Sequence, residues 1–269
     1  MMRVANTRMY NVAPAAALAW TALLEHVAHT SGVALEIVEH PFPAPVSDLW
    51  KRPDLALAFM CGWPWIRGGG HHLPVAVPIP IAAGYPVYWS DLVVRADNPA
   101  RSVADLEGGR IGYTLLDSQS GFSAMRHYFR TLPTAPRFSE IVGPITTPRR
   151  VLEAVGEGRV DIAPVDSFAH GLLRRHEPAL AAGVRVLVRT EPTPIPLLVA
   201  SPGAGPEMVA RLRAALLAID DPALLEPLTI QGFTDPLPRD AYMVMETRAR
   251  EAEADGVHDL LPFTLGRAA

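Results

Sequence analysis

Cysteine is almost absent from this chain of 269 residues, in which Cys61 stands alone. A single cysteine excludes an intramolecular disulfide and any metal site built from several cysteines. Lysine is equally scarce, because Lys51 is the only one and arginine supplies nearly all the positive charge. The formal net charge is −4, whereas a general nucleic-acid binder needs a basic face. We therefore expect no nucleic-acid partner.

Long uninterrupted apolar runs are also missing. Leu73–Trp89 is the longest apolar stretch, but four prolines interrupt it, and a membrane-spanning helix needs about 20 apolar residues. We therefore expect buried extended chain there and no membrane span. The first ten residues, MMRVANTRMY, have no apolar core of the kind found in secretory signals, and they predict a first strand instead.

Strand-like and helix-like patterns alternate along the rest of the chain. The strand patterns cover 2–9, 33–38, 55–59, 92–95, 110–114, 160–165, 184–188 and 197–200. The helix patterns cover 14–30, 121–131, 148–157, 168–175, 206–219 and 238–254. This alternation predicts an α/β protein with largely parallel sheets.

Residues 112–125, GYTLLDSQSGFSAM, place hydroxyl side chains and a glycine where a predicted strand passes into a helix. The first turn of a helix carries unpaired N–H groups and partial positive charge. Serine hydroxyls add donors, and Gly121 lets a ligand approach the backbone. The stretch therefore predicts a site for a small anion. The alternative is that Ser118 or Ser120 only caps the helix.

Signatures of catalysis and of metal binding are weak. The segment Gly121–Met125 lacks the second glycine of a nucleophile elbow, and no histidine can be assigned as a base for a nearby serine. His71 and His72 are adjacent in a predicted loop without a third ligand, which favours solvent exposure over a metal site. We expect neither a metal nor another cofactor.

Six segments, in their order and spacing, carry a resemblance to a known family. They are Cys61–Pro64, Tyr88–Asp97, Ser102–Gly108, Asp117–Gly121, Gly158–Asp166 and Thr193–Pro196. Together they resemble the phosphate/phosphonate-type substrate-binding proteins of ABC transporters, from about residue 55 to residue 200. The resemblance implies a type II periplasmic-binding-protein fold, with two Rossmann-like α/β lobes, two crossing strands and a ligand cleft between the lobes. Lobe one would be 1–92 plus 195–269, and lobe two would be 93–194.

The resemblance also implies roles for residues of lobe two. Ser118, Gln119, Ser120 and Gly121 would hold the anionic head of a ligand through hydroxyls and backbone N–H groups. Asp166 would face the cleft and accept hydrogen bonds from the ligand. Its alternative role is to cap the helix that begins near Ser167.

Further residues are implied around the cleft. Tyr88, at the first crossing, would close on the ligand, and Trp63 and Tyr10 would form an aromatic wall, with core packing as the alternative for each. The family usually has a histidine in the segment that is Gly143–Pro148 here, where Thr147 would hydrogen-bond the ligand but cannot supply positive charge. Trp89 lies where the family commonly has an arginine. These two departures weaken the expectation of a dianionic phosphonate and make a monoanion such as a carboxylate plausible.

The resemblance implies a monomeric, non-catalytic solute-binding protein that closes on its ligand by a hinge motion. Its partners would be a small anionic organic ligand, phosphonate- or phosphate-like or a carboxylate, and the permease of an ABC transporter. The alternative is a cytosolic enzyme on the same fold, similar to chorismate dehydratase of menaquinone synthesis, with Asp166 as acid or base. A sensor domain is a third alternative. The family implies a periplasmic location, whereas the first residues leave a cytoplasmic one open.

A double substitution follows from the anion-site hypothesis. We expect Ser120→Ala together with Gly121→Val to abolish anion binding and to leave the fold intact.

Overall fold

Two units make up the part of the chain that the computed structural model describes, residues 2–254. Unit one comprises residues 2–88 and 194–243, and unit two comprises residues 89–193 and 244–254. The chain thus passes from one unit to the other twice in extended segments and once more within its last helix. The predicted lobe boundaries, 1–92 with 195–269 and 93–194, stay a prediction, and residues 255–269 lie outside the described part.

Strands and helices alternate along both units. The strands are β1 (Arg3–Asn6), β2 (Leu35–Ile37), β3 (Leu55–Met60), β4 (Leu73–Pro80), β5 (Val87–Tyr88), β6 (Ser90–Arg95), β7 (Arg110–Gly112), β8 (Glu140–Val142), β9 (Ala163–Asp166), β10 (Val184–Arg189), β11 (Thr193–Pro194), β12 (Leu197–Ala200) and β13 (Ile230–Thr234). The α-helices are α1 (Pro14–Ser31), α2 (Val46–Trp50), α3 (Gly62–Arg67), α4 (Ala124–Arg130), α5 (Pro148–Gly156), α6 (Ser167–His176), α7 (Pro178–Ala181), α8 (Pro206–Leu217), α9 (Pro222–Leu225) and α10 (Arg239–Ala254). A single π-helical turn, Gln119–Ser123, leads directly into α4.

Unit one is built on a six-stranded mixed sheet with the order β13-β4-β12-β3-β1-β2. Strand β1 runs parallel to β2 and β3, whereas β12 runs antiparallel to β3 and β4, and β13 antiparallel to β4. The prediction of largely parallel sheets is therefore wrong here. The physical reason is that β12 follows the return crossing, so that it enters the sheet from the opposite end.

The long helix α1 covers this sheet with one apolar face. Pro14 occupies its first turn, where the missing N–H is not needed, and Gly32 ends it with φ +63°. Its buried apolar residues follow the helical repeat and are Ala16, Trp20, Leu23, Leu24 and Val27. The ring of Trp20 meets Phe59 of β3 edge-on, with centroids 5.1 Å apart.

The proline-interrupted stretch predicted as buried extended chain is strand β4 over its first eight residues. Its centre, Val75–Val77, is completely buried between β12 and β13. Among the described residues, no helix combines the length and the apolar character that a membrane span requires.

Unit two contains a three-stranded sheet in which β6 pairs antiparallel with both β10 and β9. A second pair, β7 and β8, is parallel, and Ile111 of β7 bridges to Ile162 just before β9. The apolar core of this unit lies between these strands and α4. Its buried residues are Leu92, Val94, Ala100, Val103, Leu106, Ile111, Met125, Phe129, Phe138 and Ile162.

The second half of α10 belongs to unit two and is held against α4 by polar contacts. Nε2 of His127 lies 3.4 Å from Oε2 of Glu251, and the Arg130 guanidinium lies 3.6 Å from the same oxygen. Arg248, on the next turn of α10, pairs with Glu191 and donates to the Pro192 carbonyl at 3.2 Å. Burial and the nearby positive charge of Arg248 lower the pKa of His127, and Glu251 only partly opposes them.

This lowered pKa predicts a pH-dependent stability. In the unfolded chain the pKa of histidine is about 6.5, so His127 binds more protons unfolded than folded as the pH falls below that value. Its contribution is complete above about pH 6.5 and is lost as the pH decreases. We expect the free energy of unfolding, measured by urea denaturation, to fall less steeply between about pH 7.5 and pH 5.5 in His127→Gln.

His29→Gln is the matched control, because His29 is exposed on α1 of unit one. In His29→Gln the free energy of unfolding should fall with decreasing pH as steeply as in the unsubstituted protein. An unchanged slope in His127→Gln would contradict the assignment.

Candidate anion-binding site

The predicted anion-binding segment forms a π-helical turn in unit two. Ser118 is extended, and its Oγ accepts the N–H of Gly121 at 3.0 Å, which makes it the cap of the turn. The N–H of Ser123 reaches back five residues to the Ser118 carbonyl at 3.0 Å. Within the described part of the chain, the N–H groups of Gln119 and Ser120 have no acceptor. Turns of this type often occur at functional sites, and here the turn presents two unpaired donors at a helix start.

Close packing against Thr114 and Ser118 leaves no space for a side chain at Gly121. A Cβ added there would lie 1.7 Å from Oγ1 of Thr114 and 2.9 Å from Oγ of Ser118. The Gly121 carbonyl also accepts the N–H of Thr114 at 3.1 Å. The expectation that Gly121→Val leaves the fold intact is therefore wrong, because any side chain at this position collides with Thr114.

Thr114 also supports a second loop of unit two. Its carbonyl accepts the N–H of Thr146 at 3.2 Å, and Thr146 has φ +75°. A β-branched residue in this left-handed region is strained by about 1–3 kcal/mol, and such strain is typical of functional segments. The next residue, Thr147, caps α5, because its Oγ1 accepts the N–H of Arg150 at 3.3 Å.

Asp166 is the cap of α6, as its alternative role predicted. Its Oδ1 accepts the N–H groups of Phe168 and Ala169, both at 2.9 Å, and 9% of the residue is exposed. The carboxylate therefore stabilises the start of α6. A contact between Asp166 and a ligand stays a prediction.

Ser90, which the sequence did not indicate, ties these segments together. The residue is completely buried at the start of β6 and is paired in register with Asp166. Its Oγ donates to the Ser120 carbonyl at 2.7 Å, and its N–H donates to Oγ1 of Thr190 at 2.9 Å. One side chain thus fixes the position of the π-helical turn relative to the sheet.

A buried acid–base pair lies next to Ser90. Oδ2 of Asp91 is 2.7 Å from Nδ1 of His170 on α6, and both side chains are less than 5% exposed. Oδ1 of Asp91 accepts the indole N–H of Trp89 at 2.9 Å. The other imidazole nitrogen of His170 is buried without a partner in the described residues. The sequence signal that indicates this pair is a charged residue inside an otherwise apolar strand.

Trp89, which stands where the resemblance expects arginine, also lies beside a cation. The guanidinium of Arg189, on β10, is 5.5 Å from the centre of its ring and 3.5 Å from Oδ1 of Asp91. Such an arrangement is a cation–π contact. It supplies a positive charge near the start of β6, but the Asp91 carboxylate offsets that charge.

The three aromatic residues predicted to face a ligand lie in unit one. Tyr10 is 1% exposed and meets Phe59 edge-on at 4.8 Å. Trp63 is 4% exposed and carries the Arg67 guanidinium 5.1 Å above its ring. Tyr88 is 1% exposed, with its hydroxyl 3.8 Å from Sγ of Cys61. Each side chain is thus packed inside the protein, and its contact with a ligand stays a prediction.

Gln119 is the most unusual polar residue of the candidate site. It is 1% exposed, and neither its amide nitrogen nor its amide oxygen has a partner in the described part of the chain. Leaving a buried polar group unpaired costs about 1–3 kcal/mol. Exchanging the amide oxygen and nitrogen does not remove this cost, because both ends lack partners.

Other site chemistry is sparse in the residues that the structure describes. They contain no cluster of three His, Cys, Asp or Glu side chains that could hold a metal ion. Nε2 of His72, one of the adjacent histidines, lies 2.7 Å from the Trp50 carbonyl oxygen.

Comparison with known proteins decides the family. Residues 12–242 match the family described as "ABC transporter, phosphonate, periplasmic substrate-binding protein". The chain belongs to this family. No curated protein matches the sequence significantly.

The fold of this chain is similar to the folds of several solved structures. A binding-protein component of an ABC phosphonate transporter from Pseudomonas aeruginosa is 16% identical, with a TM-score of 0.73 over 96% of this chain and 94% of its own. PhnD1 from Prochlorococcus marinus, in complex with methylphosphonate, is 13% identical, with a TM-score of 0.77 over 94% and 98%. MatC from Rhodopseudomonas palustris, with bound malate, is 16% identical, with a TM-score of 0.61 over 96% and 99%. The mixed α/β fold is therefore that of type II periplasmic binding proteins.

The contact between Gly121 and Thr114 gives a direct prediction. We expect Gly121→Ala to lower the free energy of unfolding by about 1–3 kcal/mol, as overpacked interiors do, in urea denaturation. Gly156→Ala is the control, because a Cβ there meets nothing closer than 3.8 Å and the residue ends a helix. Equal stability of the two variants would contradict the packing requirement at Gly121.

Proposed function

We propose that this protein is a non-catalytic solute-binding protein that captures a small organic anion for uptake by an ABC transporter. The observation that carries the proposal is the π-helical turn of unit two, with its unpaired N–H groups at Gln119 and Ser120 and its buried amide. Membership of the substrate-binding family supports the same function.

The anionic group would be held by the turn itself. The N–H groups of Gln119 and Ser120 would donate to the anion, where the helix dipole also favours negative charge. The hydroxyls of Ser118 and Ser120 would add donors, while the Ser118 oxygen continues to accept the Gly121 N–H. Such a site needs no reorganisation of the backbone, because hydrogen bonds to Ser90 and Thr114 already fix the turn.

The remaining predicted residues complete the proposed ligand environment. Thr147 and Asp166 would contribute a hydroxyl and a carboxylate from the starts of α5 and α6, each while capping its helix. Ligand contacts of Tyr10, Trp63 and Tyr88 stay predictions. These contributions rest on the family resemblance, since the described contacts of these residues also serve packing and capping.

Charge around the turn favours a monoanion over a dianion. Asp166 stands opposite Ser90 in the sheet register, and Ser90 in turn holds the turn at Ser120. A carboxylate on this side disfavours a second negative charge on the ligand. The Arg126 guanidinium of α4 is buried over the ring of Phe122 and donates to the Ala252 carbonyl at 3.5 Å. A carboxylate, or a phosphonate bearing one charge, therefore fits this environment better than a phosphonate dianion.

The experiment that tests the proposal compares binding by the protein and by Ser120→Ala. Isothermal titration calorimetry with methylphosphonate, inorganic phosphate, acetate and glycolate should show binding of at least one anion. We expect Ser120→Ala to weaken this binding about 10-fold, the effect of losing one hydrogen bond to a charged group. The melting temperature should stay unchanged, because the Ser120 side chain has no structural partner among the described residues.

Ser139→Ala is the control, since Ser139 is an exposed residue of the same unit whose hydroxyl donates to the Gly109 carbonyl. Its affinity should equal that of the unsubstituted protein. Binding of no anion would contradict the proposed function. Consumption of chorismate would instead establish the enzyme alternative, for which Asp166 would be the first target of mutagenesis.

A further inference from the structure

Gln119 has a feature that anion binding by itself does not explain. It is one of two glutamines in the chain, and the other, Gln231, is exposed on β13. At Gln119 a donor and an acceptor are both buried without a partner in the described part of the chain. Protein interiors pair nearly all such side-chain atoms, and each exception requires an explanation.

The backbone that carries this amide is held on both sides. The turn is fixed on one side by the Ser90 hydroxyl, which donates to the Ser120 carbonyl. On the other side the Gly121 carbonyl accepts the Thr114 N–H, and no space separates Gly121 from the Thr114 side chain. The amide therefore belongs to a turn with a fixed backbone, whose N–H groups at Gln119 and Ser120 are also unpaired in the described residues. A bound molecule would supply what this turn lacks.

We propose that Gln119 determines the class of ligand, and that the site takes an organic anion with a hydroxyl group on the atom next to its anionic group. The inference rests on the proposed function of the same turn. The backbone N–H groups and the Gln119 NH₂ donate to the anionic oxygens. The amide oxygen of Gln119 only accepts, so that a ligand made of acceptors alone leaves it unpaired or repels it. A hydroxyl group on the neighbouring atom of the ligand donates to this oxygen, so that both ends of the Gln119 amide have a partner.

A hydroxyl fits this acceptor better than an ammonium group does. The amide oxygen carries no formal charge, and moving an ammonium group out of water requires a full counter-charge. Asp166, which is paired in register with Ser90, already accepts two N–H groups at its Oδ1. A neutral donor needs no such compensation.

The test uses two pairs of acids that differ only by the hydroxyl group. Glycolate is compared with acetate, and hydroxymethylphosphonate with methylphosphonate, by isothermal titration calorimetry at one pH. We expect the hydroxylated member of at least one pair to bind about 10-fold more tightly or better, because a site with a buried polar group discriminates against analogues that cannot pair it. In Gln119→Met, which keeps the length of the side chain without the amide, this ratio should fall to about 2 or less.

Gln231→Met is the matched control and should keep the full ratio. Equal binding of both members by the unsubstituted protein, or an unchanged ratio in Gln119→Met, would overturn the inference while leaving the anion site in place. Binding of none of the four acids would overturn the inference and the proposed function together. If Gln119→Met does not fold, the ratio measured on the unsubstituted protein decides the question.

Discussion

The contact between Gly121 and Thr114 is the constraint on which the candidate site depends. Because Gly121 has no side chain, its backbone lies against the Thr114 hydroxyl, and its carbonyl accepts the Thr114 N–H. The carbonyl of Thr114 holds the strained Thr146 on the other side. Thr114, two residues after the end of β7, thus positions both the π-helical turn and the loop before α5.

The turn is rigid and also incompletely satisfied. Its cap, Ser118, pairs the Gly121 N–H, and Ser90 pairs the Ser120 carbonyl. The donors of Gln119 and Ser120, together with the Gln119 amide, are left without partners in the described residues. A fixed backbone with unpaired polar groups costs free energy in the empty protein, and a ligand that pairs them recovers it. Unpaired polar groups on a fixed backbone are therefore expected in a binding site and not in a turn that only supports the fold.

Much of the fold was predictable because local patterns carry it. The apolar face of α1, the proline in its first turn and the glycine at its end are all visible in the sequence, and the extended character of β4 follows from its prolines and valines. The direction of β12 was not predictable from local patterns, since it depends on where the chain re-enters the sheet. The family resemblance correctly indicated the type II binding-protein fold and the ABC-transporter class.

The site was predictable only in part, for a related reason. Ser118 as a cap is a local pattern, as are the caps at Thr147 and Asp166. Ser90 and its bond to the Ser120 carbonyl join residues 30 positions apart, and Asp91 and His170 are 79 positions apart. The periodicity of apolar residues along the sequence gives no information about contacts between residues so far apart. The collision that makes Gly121 irreplaceable also arises only when the turn folds back on Thr114.

The most direct test of the account is an amide-resolved NMR titration of the protein with glycolate. The account predicts that the largest shifts occur at the backbone N–H groups of Gln119 and Ser120 and at the side-chain amide of Gln119. The proton resonances should move downfield, as expected for N–H groups that gain an anionic acceptor. Saturable binding with the largest shifts elsewhere, and none at Gln119 or Ser120, would contradict it.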